Sequence, residues 1–261
     1  MRSGLALALF AAILAAGCGH AAGEDEAAGE DEATPAERVR FDHAAFDAIL
    51  RRRVKDGLVD YVGLAKEDGA ALRVYRGALA AADPKAFADD DERKAFWINA
   101  YNAAVIASVI AHWPVKDVTK VDGFFDREKH RVAGRDLTLD EIEKSVLRPT
   151  FQDERTHFVL VCAARGCPLL APAAYTGEGL DARLDAAARA FVRDPAKVRV
   201  EATTIHASSI FDWYRGELEA KAGGSLVAYL AKWADEATAK RLRAKSDWSF
   251  SFSYDWTINA Q

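Results

Sequence analysis

The sequence predicts an α+β fold in which helices predominate around a small, mainly antiparallel sheet. Three observations predict it. Apolar residues recur every three to four positions in several segments, which is the spacing of helices with one buried face. Two short segments have the pattern of hairpins. Between Asp247 and Trp256, aromatic and polar residues alternate, as they do in a strand that packs on one face.

The helical segments are bounded by proline, glycine or capping residues. The longest follows the acidic run 89–92, which favours a helix N-terminus, and ends before Trp113-Pro114. Its centre, residues 96–106, is apolar nearly all round, which predicts burial on most sides. A capping box at 138–141 starts a later helix. The predicted helices cover residues 36–55, 64–81, 90–111, 138–148, 180–192, 210–220 and 226–244.

The extended segments are shorter. Hairpins are predicted at 129–137, with the turn at Ala133-Gly134, and at 198–205. The run 158–162 is continuously apolar and predicts a central strand. Further strands are predicted at 58–62 and 248–256. No segment rich in Pro, Gly or Ser interrupts residues 38–261, so we predict a single domain there.

The N-terminus predicts export and a lipid anchor. Arg2 precedes an apolar run, residues 5–14, which is shorter than the roughly 20 residues that span a bilayer. Small residues then precede Cys18, an arrangement that resembles a bacterial lipobox. We therefore predict a signal peptide at 1–17, lipidation of Cys18 and a location in the cell envelope. The absence of Asp after Cys18 favours the periplasmic side of the outer membrane.

An acidic segment follows the lipidation site. Residues 18–37 contain Ala-Ala-Gly-Glu-Asp-Glu twice and no large apolar side chain, which predicts a disordered tether. This segment holds seven acidic residues and no basic one, and Arg2 is the only base before it. The 40 acidic and 35 basic residues of the chain therefore leave residues 38–261 nearly neutral. Because nucleic-acid binding needs a basic surplus, we predict no nucleic-acid partner and membrane contact through the lipid only.

Five blocks follow one another along the chain: Phe96–Ala103, Leu137–Glu143, His157–Cys162 with Cys167-Pro168, Ser209–Tyr214, and Tyr254–Trp256. Together they resemble the domain of unknown function 547 family over about residues 40–258. Members of that family occur as exported bacterial proteins and as domains of larger plant proteins. The resemblance implies no particular activity, because the family's name records that its activity is not established.

Once Cys18 is lipidated, Cys162 and Cys167 are the remaining thiols, and several interpretations stay open. A disulfide is typical of an exported protein. Alternatively, one thiol is a nucleophile that a nearby imidazole and Arg165 activate as a thiolate. A third interpretation is an exchangeable redox pair, although the spacing differs from Cys-x-x-Cys. Inert thiols are the fourth.

The nucleophile interpretation needs a base. His157 begins the predicted strand that ends at Cys162, and Glu143 on the preceding helix is a candidate to orient it, as in a Cys–His–Glu arrangement. On a regular strand His157 and Cys162 point to opposite faces. A bulge, or use of Cys167 from the loop, would therefore be required.

Polar residues inside the apolar helix are candidate binding residues. Asn99 and Asn102 lie one turn apart, and burying either amide without partners costs about 1–3 kcal/mol. They either clamp loop backbone or donate to an oxyanion or ligand. Tyr101 is either a core residue or part of a pocket wall, and Arg165 is a further binding candidate. The remaining histidines are expected in exposed or partly exposed structural positions: His43, His112, His130 and His206.

The motifs of several enzyme classes do not occur. The sequence contains no His-Glu-x-x-His, no clustered Cys and His, no glycine-rich phosphate loop and no Gly-x-Ser-x-Gly. We predict no metal site and no cofactor. Two functions stay open: a cysteine-dependent hydrolase or acyl transferase, and a non-catalytic envelope protein that binds a peptide, glycan or protein partner. A thiol redox protein is the third alternative.

Overall fold

The computed structural model describes residues 39–261, which have the predicted α+β structure with a helical majority. The predicted signal peptide, Cys18 and the tether lie outside the described residues. The α-helices are α1 (Ala44–Arg53), α2 (Tyr61–Gly63), α3 (Gly69–Ala81), α4 (Asp90–Ala111), α5 (Leu139–Glu141), α6 (Arg148–Phe151), α7 (Leu180–Arg193), α8 (Ile210–Trp213), α9 (Arg215–Ala220), α10 (Leu226–Trp233) and α11 (Glu236–Arg243). The strands are β1 (Val54–Lys55), β2 (Leu58–Val59), β3 (His130–Val132), β4 (Arg135–Leu137), β5 (Val198–Val200), β6 (Thr204–Ser208) and β7 (Ser249–Ser253). Leu64–Asp68 and Ile142–Leu147 are π-helical, and Pro84–Ala86, Val118–Lys120 and Glu154–Phe158 are 3-10 turns.

The long helix α4 is the centre of the fold. Asp89 caps its N-terminus by accepting a hydrogen bond from the N–H of Glu92. Every residue from Phe96 to Ile106 is buried, as the sequence predicts. The helix is long and apolar enough to cross a membrane, but 78% of its most apolar window is buried inside the protein. Its apolar character is therefore that of a core helix.

The buried side chains of residues 39–261 form two hydrophobic clusters. The first surrounds α1, α3 and α4 and includes Phe46 and Phe96. The second joins α7 to α11 with strands β5 to β7 and includes Phe211 and Tyr229. Phe158 packs in the second cluster, whereas the next three residues pack in the first. The segment 157–162 therefore lies at the boundary between the two clusters.

In the described part of the chain, three small sheets replace the single sheet that the sequence suggests. The predicted hairpins are confirmed as β3–β4 and β5–β6, and β1–β2 forms a third antiparallel pair. Strand β7 pairs with β6 in parallel, from Thr204 opposite Ser249 to Ser208 opposite Ser253. Its aromatic side chains are partly buried against the second cluster and its serines are exposed, so the predicted alternation holds.

The predicted strand at 158–162 is wrong. Residues 154–158 form a 3-10 turn and residues 159–162 belong to no strand. The side chain of Asn102 donates to the carbonyl of Val159 and accepts from the N–H of Val161, each at 3.0 Å. Because this one side-chain amide satisfies both a carbonyl and an N–H of the segment, these two backbone groups need no partner on a neighbouring strand.

Several predicted boundaries also change. The predicted strand at 58–62 is reduced to β2, since α2 begins at Tyr61. The predicted helix at 210–220 divides at Tyr214 into α8 and α9. The predicted helix at 226–244 divides before Asp235, whose side chain caps α11 by accepting from the N–H of Thr238.

Two histidines expected near the surface are buried, His43 at 4% and His130 at 2% exposure. Nδ1 of His43 lies 2.7 Å from the hydroxyl of Tyr75, and within residues 39–261 the Nε2 atoms of both rings have no hydrogen-bond partner. Burial lowers the pKa of His43 to about 4, against the opposing effect of Asp42. Burial likewise lowers the pKa of His130 to about 4.

We expect the protein to lose stability between pH 6.5 and pH 4. In this range the unfolded chain binds protons at these histidines and the folded chain does not. The free energy of unfolding therefore decreases as the pH is lowered from 6.5 to 4. Each histidine contributes a slope of about 1.4 kcal/mol per pH unit. Urea unfolding at several pH values measures the slope. His43→Gln and His130→Gln should each remove one histidine's share, and an unchanged slope in the double variant would contradict this prediction.

Candidate functional site

A pocket of about 160 Å³ opens at the boundary between the two hydrophobic clusters. It lies between the π-helical turn after α5, the loop that holds the two cysteines, helix α8 and the C-terminal segment. Its lining residues are Tyr101, Phe125, Asp140, Glu143, Lys144, His157, Leu160, Cys162, Cys167, Pro168, Ile210, Trp213, Tyr214, Tyr254 and Trp256. Five of the predicted site residues line it together, namely Tyr101, Glu143, His157, Cys162 and Cys167.

The helix that carries Glu143 begins as predicted. Thr138 and Glu141 form a complete capping box, in which each side chain bonds the backbone N–H of the other residue. The following turn, Ile142–Leu147, is π-helical and contains Glu143 and Lys144. Such turns recur at functional sites. Oε1 of Glu143 accepts a 2.7 Å hydrogen bond from the hydroxyl of Tyr214.

His157 is oriented by Glu217, a residue that the sequence does not indicate as part of the site. Nε2 of His157 lies 3.0 Å from Oε2 of Glu217, whereas Nδ1 lies 4.0 Å from Glu143, beyond hydrogen-bond distance. The hydrogen bond from His157, together with Arg148, holds the pKa of Glu217 below its usual range. Glu217 lies 60 residues from His157 in a polar helix, and nothing in the local sequence marks it.

Tyr214 connects this histidine to Glu143. Its ring stacks on the ring of His157 with the centroids 3.6 Å apart and the planes 13° apart. Burial, and then the negative charge of Glu143, raise the pKa of the Tyr214 hydroxyl. At neutral pH the hydroxyl is therefore protonated and donates to Glu143. In the sequence, the only indication of a role for Tyr214 is that it belongs to one of the blocks that resemble the family.

The sulfurs of Cys162 and Cys167 are bonded to each other in this structure. Cys162 is partly exposed and Cys167 is buried. The hydroxyl of Tyr254 lies 2.9 Å from Sγ of Cys162 and 3.1 Å from Sγ of Cys167. Among the described residues, no hydrogen bond joins His157 to either sulfur. The nucleophile interpretation concerns the reduced protein, whereas a redox pair would exchange between this disulfide and two thiols. Both interpretations stay predictions.

The cysteine loop is fastened to the C-terminal segment. The N–H of Arg165 donates to the carbonyl of Thr257, and the N–H of Gly166 donates to the carbonyl of Asp255, both at 2.7 Å. The side chain of Lys197 donates to the carbonyl of Arg165. Arg165 itself is exposed and does not line the pocket. The loop thus positions Tyr254 and the residues that follow it.

Asn99 and Asn102 lie outside the pocket, and both bond backbone. Asn99 donates to the carbonyl of Tyr175 at 2.7 Å and accepts from the N–H of the same residue at 2.9 Å. Asn102 holds the segment 159–161 in the same way. These contacts are those of the structural alternative, in which the two amides clamp loops against α4. Tyr101, between them on the helix, faces the pocket instead.

An aromatic wall closes one side of the pocket. We use this name for Trp213, Tyr254 and Trp256, whose ring centroids lie 4.6 to 5.9 Å apart. Trp213 is 51% exposed, which is unusual for so large an apolar side chain. The wall combines the end of α8 with the segment after β7, about 40 residues later.

These features define an α+β protein with an aromatic-walled pocket that contains an acidic side chain and a disulfide. Residues 85–192 match the family described as "Protein of unknown function, DUF547". The match supports the family resemblance that the sequence blocks indicate. It includes Glu143, His157 and both cysteines, and it ends before the aromatic wall. No curated protein and no solved structure matches the chain.

Proposed function

We propose that this protein is a lipid-anchored envelope protein that binds a small ligand, or one group of a peptide or glycan, in the aromatic-walled pocket. The observation that carries the proposal is the convergence of the aromatic wall, which is partly exposed, and the nearly buried carboxylate of Glu143 on one cavity. Pockets that combine apolar walls with a few placed polar groups are typical of ligand sites.

The contacts favour binding over cysteine catalysis. A cysteine hydrolase requires a thiolate within reach of its base. Here Cys162 and Cys167 are bonded to each other, Tyr254 contacts both sulfurs, and Glu217 engages His157. A thiol-reactive probe applied across pH separates the two functions. We expect no labelling of these cysteines in the native protein before reduction, and a reactive native thiol would favour the hydrolase instead.

The proposed location rests on the N-terminal sequence. Arg2, the short apolar run and Cys18 have the order of a lipoprotein signal. Metabolic labelling with a fatty-acid analogue, followed by membrane fractionation, tests it. The label and the membrane association should both be lost in Cys18→Ala, and a soluble, unlabelled wild-type protein would contradict the anchor.

Ligand-observed NMR with a panel of sugars, amino-acid amides and small amines tests binding. Leu160→Trp fills the pocket from its buried side, and Trp213→Ala removes the exposed residue of the aromatic wall, so both should reduce the binding of any hit. Val74→Trp, on an exposed position of α3, is the control for an added indole. Hits that are unaffected by Trp213→Ala and Leu160→Trp in folded protein, or no hits at all, would contradict the proposed function.

A further inference from the structure

We propose that the pocket selects ligands that carry an organic ammonium group, with Glu143 as the counter-ion and the aromatic wall as the surface that covers the cation. The inference rests on the ligand-binding function proposed above and names the chemical class of its ligand. Three features of the described residues support it: a free carboxylate oxygen, the pairing of the other charges, and uncovered aromatic rings.

The free oxygen is Oε2 of Glu143. The residue is only 7% exposed, and its Oε1 accepts from Tyr214. Within residues 39–261 no donor bonds Oε2. The atom is nevertheless not completely buried. It therefore reaches the pocket, which Glu143 lines. A carboxylate so far removed from water gains from a charged donor, and an ammonium group supplies one.

The other charges of the pocket already have partners. Asp140 and Lys144 form an ion pair with a 2.7 Å distance between Oδ2 and Nζ. His157 is bonded to Glu217, which also pairs with Arg148. Among the described residues that line the pocket, Glu143 is thus the charged side chain without a hydrogen-bonded partner of opposite charge. The pocket therefore favours a cation over an anion.

The aromatic wall provides the second contact. The faces of tryptophan and tyrosine attract cations, by about 0.5–2 kcal/mol depending on desolvation. In the part of the chain that the structure describes, several arginine and lysine side chains lie over other aromatic rings, for example Arg148 over Tyr214. None of these lies over Trp213, Tyr254 or Trp256. These rings remain available to a cation from outside, and they accommodate the methyl or methylene groups of an organic one.

Two kinds of molecule carry such an ammonium group: a quaternary headgroup and a peptide with an amine side chain. Two matched pairs of probes distinguish them. Choline is compared with its uncharged analogue 3,3-dimethyl-1-butanol, and Nα-acetyl-lysine amide with Nα-acetyl-norleucine amide. Binding is measured with the purified protein by ligand-observed NMR and by tryptophan fluorescence.

The charged member of at least one pair should bind about tenfold more tightly than its neutral partner. Glu143→Gln keeps the acceptor for Tyr214 and removes the charge, so it should abolish the preference. Glu141→Gln is the matched control, because it removes a charge from the same helix outside the pocket and still completes the capping box. Equal binding within both pairs, or a preference that persists in Glu143→Gln, would overturn the inference.

The possible results distinguish the ammonium preference from the ligand-binding function on which it rests. Neutral and charged probes that bind equally, and are both lost in Leu160→Trp, leave the ligand-binding function standing and remove the ammonium preference. The same holds if the ammonium probes fail and another member of the panel binds in the pocket. If no probe and no panel member binds, both proposals fall.

Discussion

Replacement of Asn102 by leucine is expected to lower the free energy of unfolding by about 2–6 kcal/mol. The side chain is 1% exposed and satisfies the carbonyl of Val159 and the N–H of Val161. Leucine leaves both backbone groups buried without a partner, and each orphaned group costs about 1–3 kcal/mol. Because the segment 159–161 leads directly into Cys162, we also expect weaker binding in the pocket.

Urea unfolding measures the first effect. Lys66→Leu is the control for added apolar surface, since Lys66 is exposed, and it should change the stability by no more than about 0.5 kcal/mol. Asn99→Leu removes the equivalent clamp on Tyr175 and should be similarly costly. A loss below about 1 kcal/mol in Asn102→Leu would show that the segment finds other partners, and that the amide does not hold it.

Replacement of Gly166 by alanine is expected to destabilise the protein by about 1–3 kcal/mol, because it overpacks a backbone contact. A Cβ at this position would lie 2.8 Å from the backbone nitrogen of Asp255 and 2.9 Å from Cδ1 of Tyr254. The first of these neighbours is backbone and cannot turn away. The cysteine loop and the C-terminal segment must therefore move apart, which displaces Tyr254 from the aromatic wall.

Gly77→Ala is the matched control for this substitution. Gly77 lies in α3, and apart from its chain neighbours and the adjacent helix backbone, a Cβ there would meet no atom of the described residues within 4 Å. Alanine has the higher helix propensity, so this variant should gain up to about 1 kcal/mol. Thermal or urea unfolding of the two variants should give changes of opposite sign. Equal effects, or a Gly166→Ala variant with wild-type stability and binding, would contradict the proposed role of the loop.

Local sequence signals predicted most of the secondary structure correctly. The long helix has the predicted bounds, Asp90–Ala111, because acidic residues at its start and Trp113-Pro114 at its end act within one or two turns. The capping box at Thr138 and both hairpins, including the turn at Ala133-Gly134, also form as predicted. Where a competing partner lay far away in the chain, the prediction failed. The run 158–162 looked like a strand, but Asn102, 57 residues before Val159, bonds its backbone.

The candidate site could be predicted only in part for the same reason. His157, Glu143 and the cysteines are chemically distinctive, and the sequence blocks brought attention to them. Their partners are ordinary residues at large separations: Glu217 lies 60 residues from His157, and Tyr254 lies 92 residues from Cys162. No local pattern marks such pairs, because hydrogen bonds between distant segments depend on how the helices pack.

By itself, the sequence determined the class of fold, the helices and hairpins, and the set of side chains able to do chemistry. Each of these depends on interactions within a few residues, where spacing, capping and turn preferences are decisive. The tertiary structure alone decided which of those side chains meet. It bonded the two sulfurs to each other, paired His157 with Glu217 instead of Glu143, and placed Glu143 in the lining of the aromatic-walled pocket. That arrangement arises where two hydrophobic clusters meet, and packing between distant segments sets their boundary.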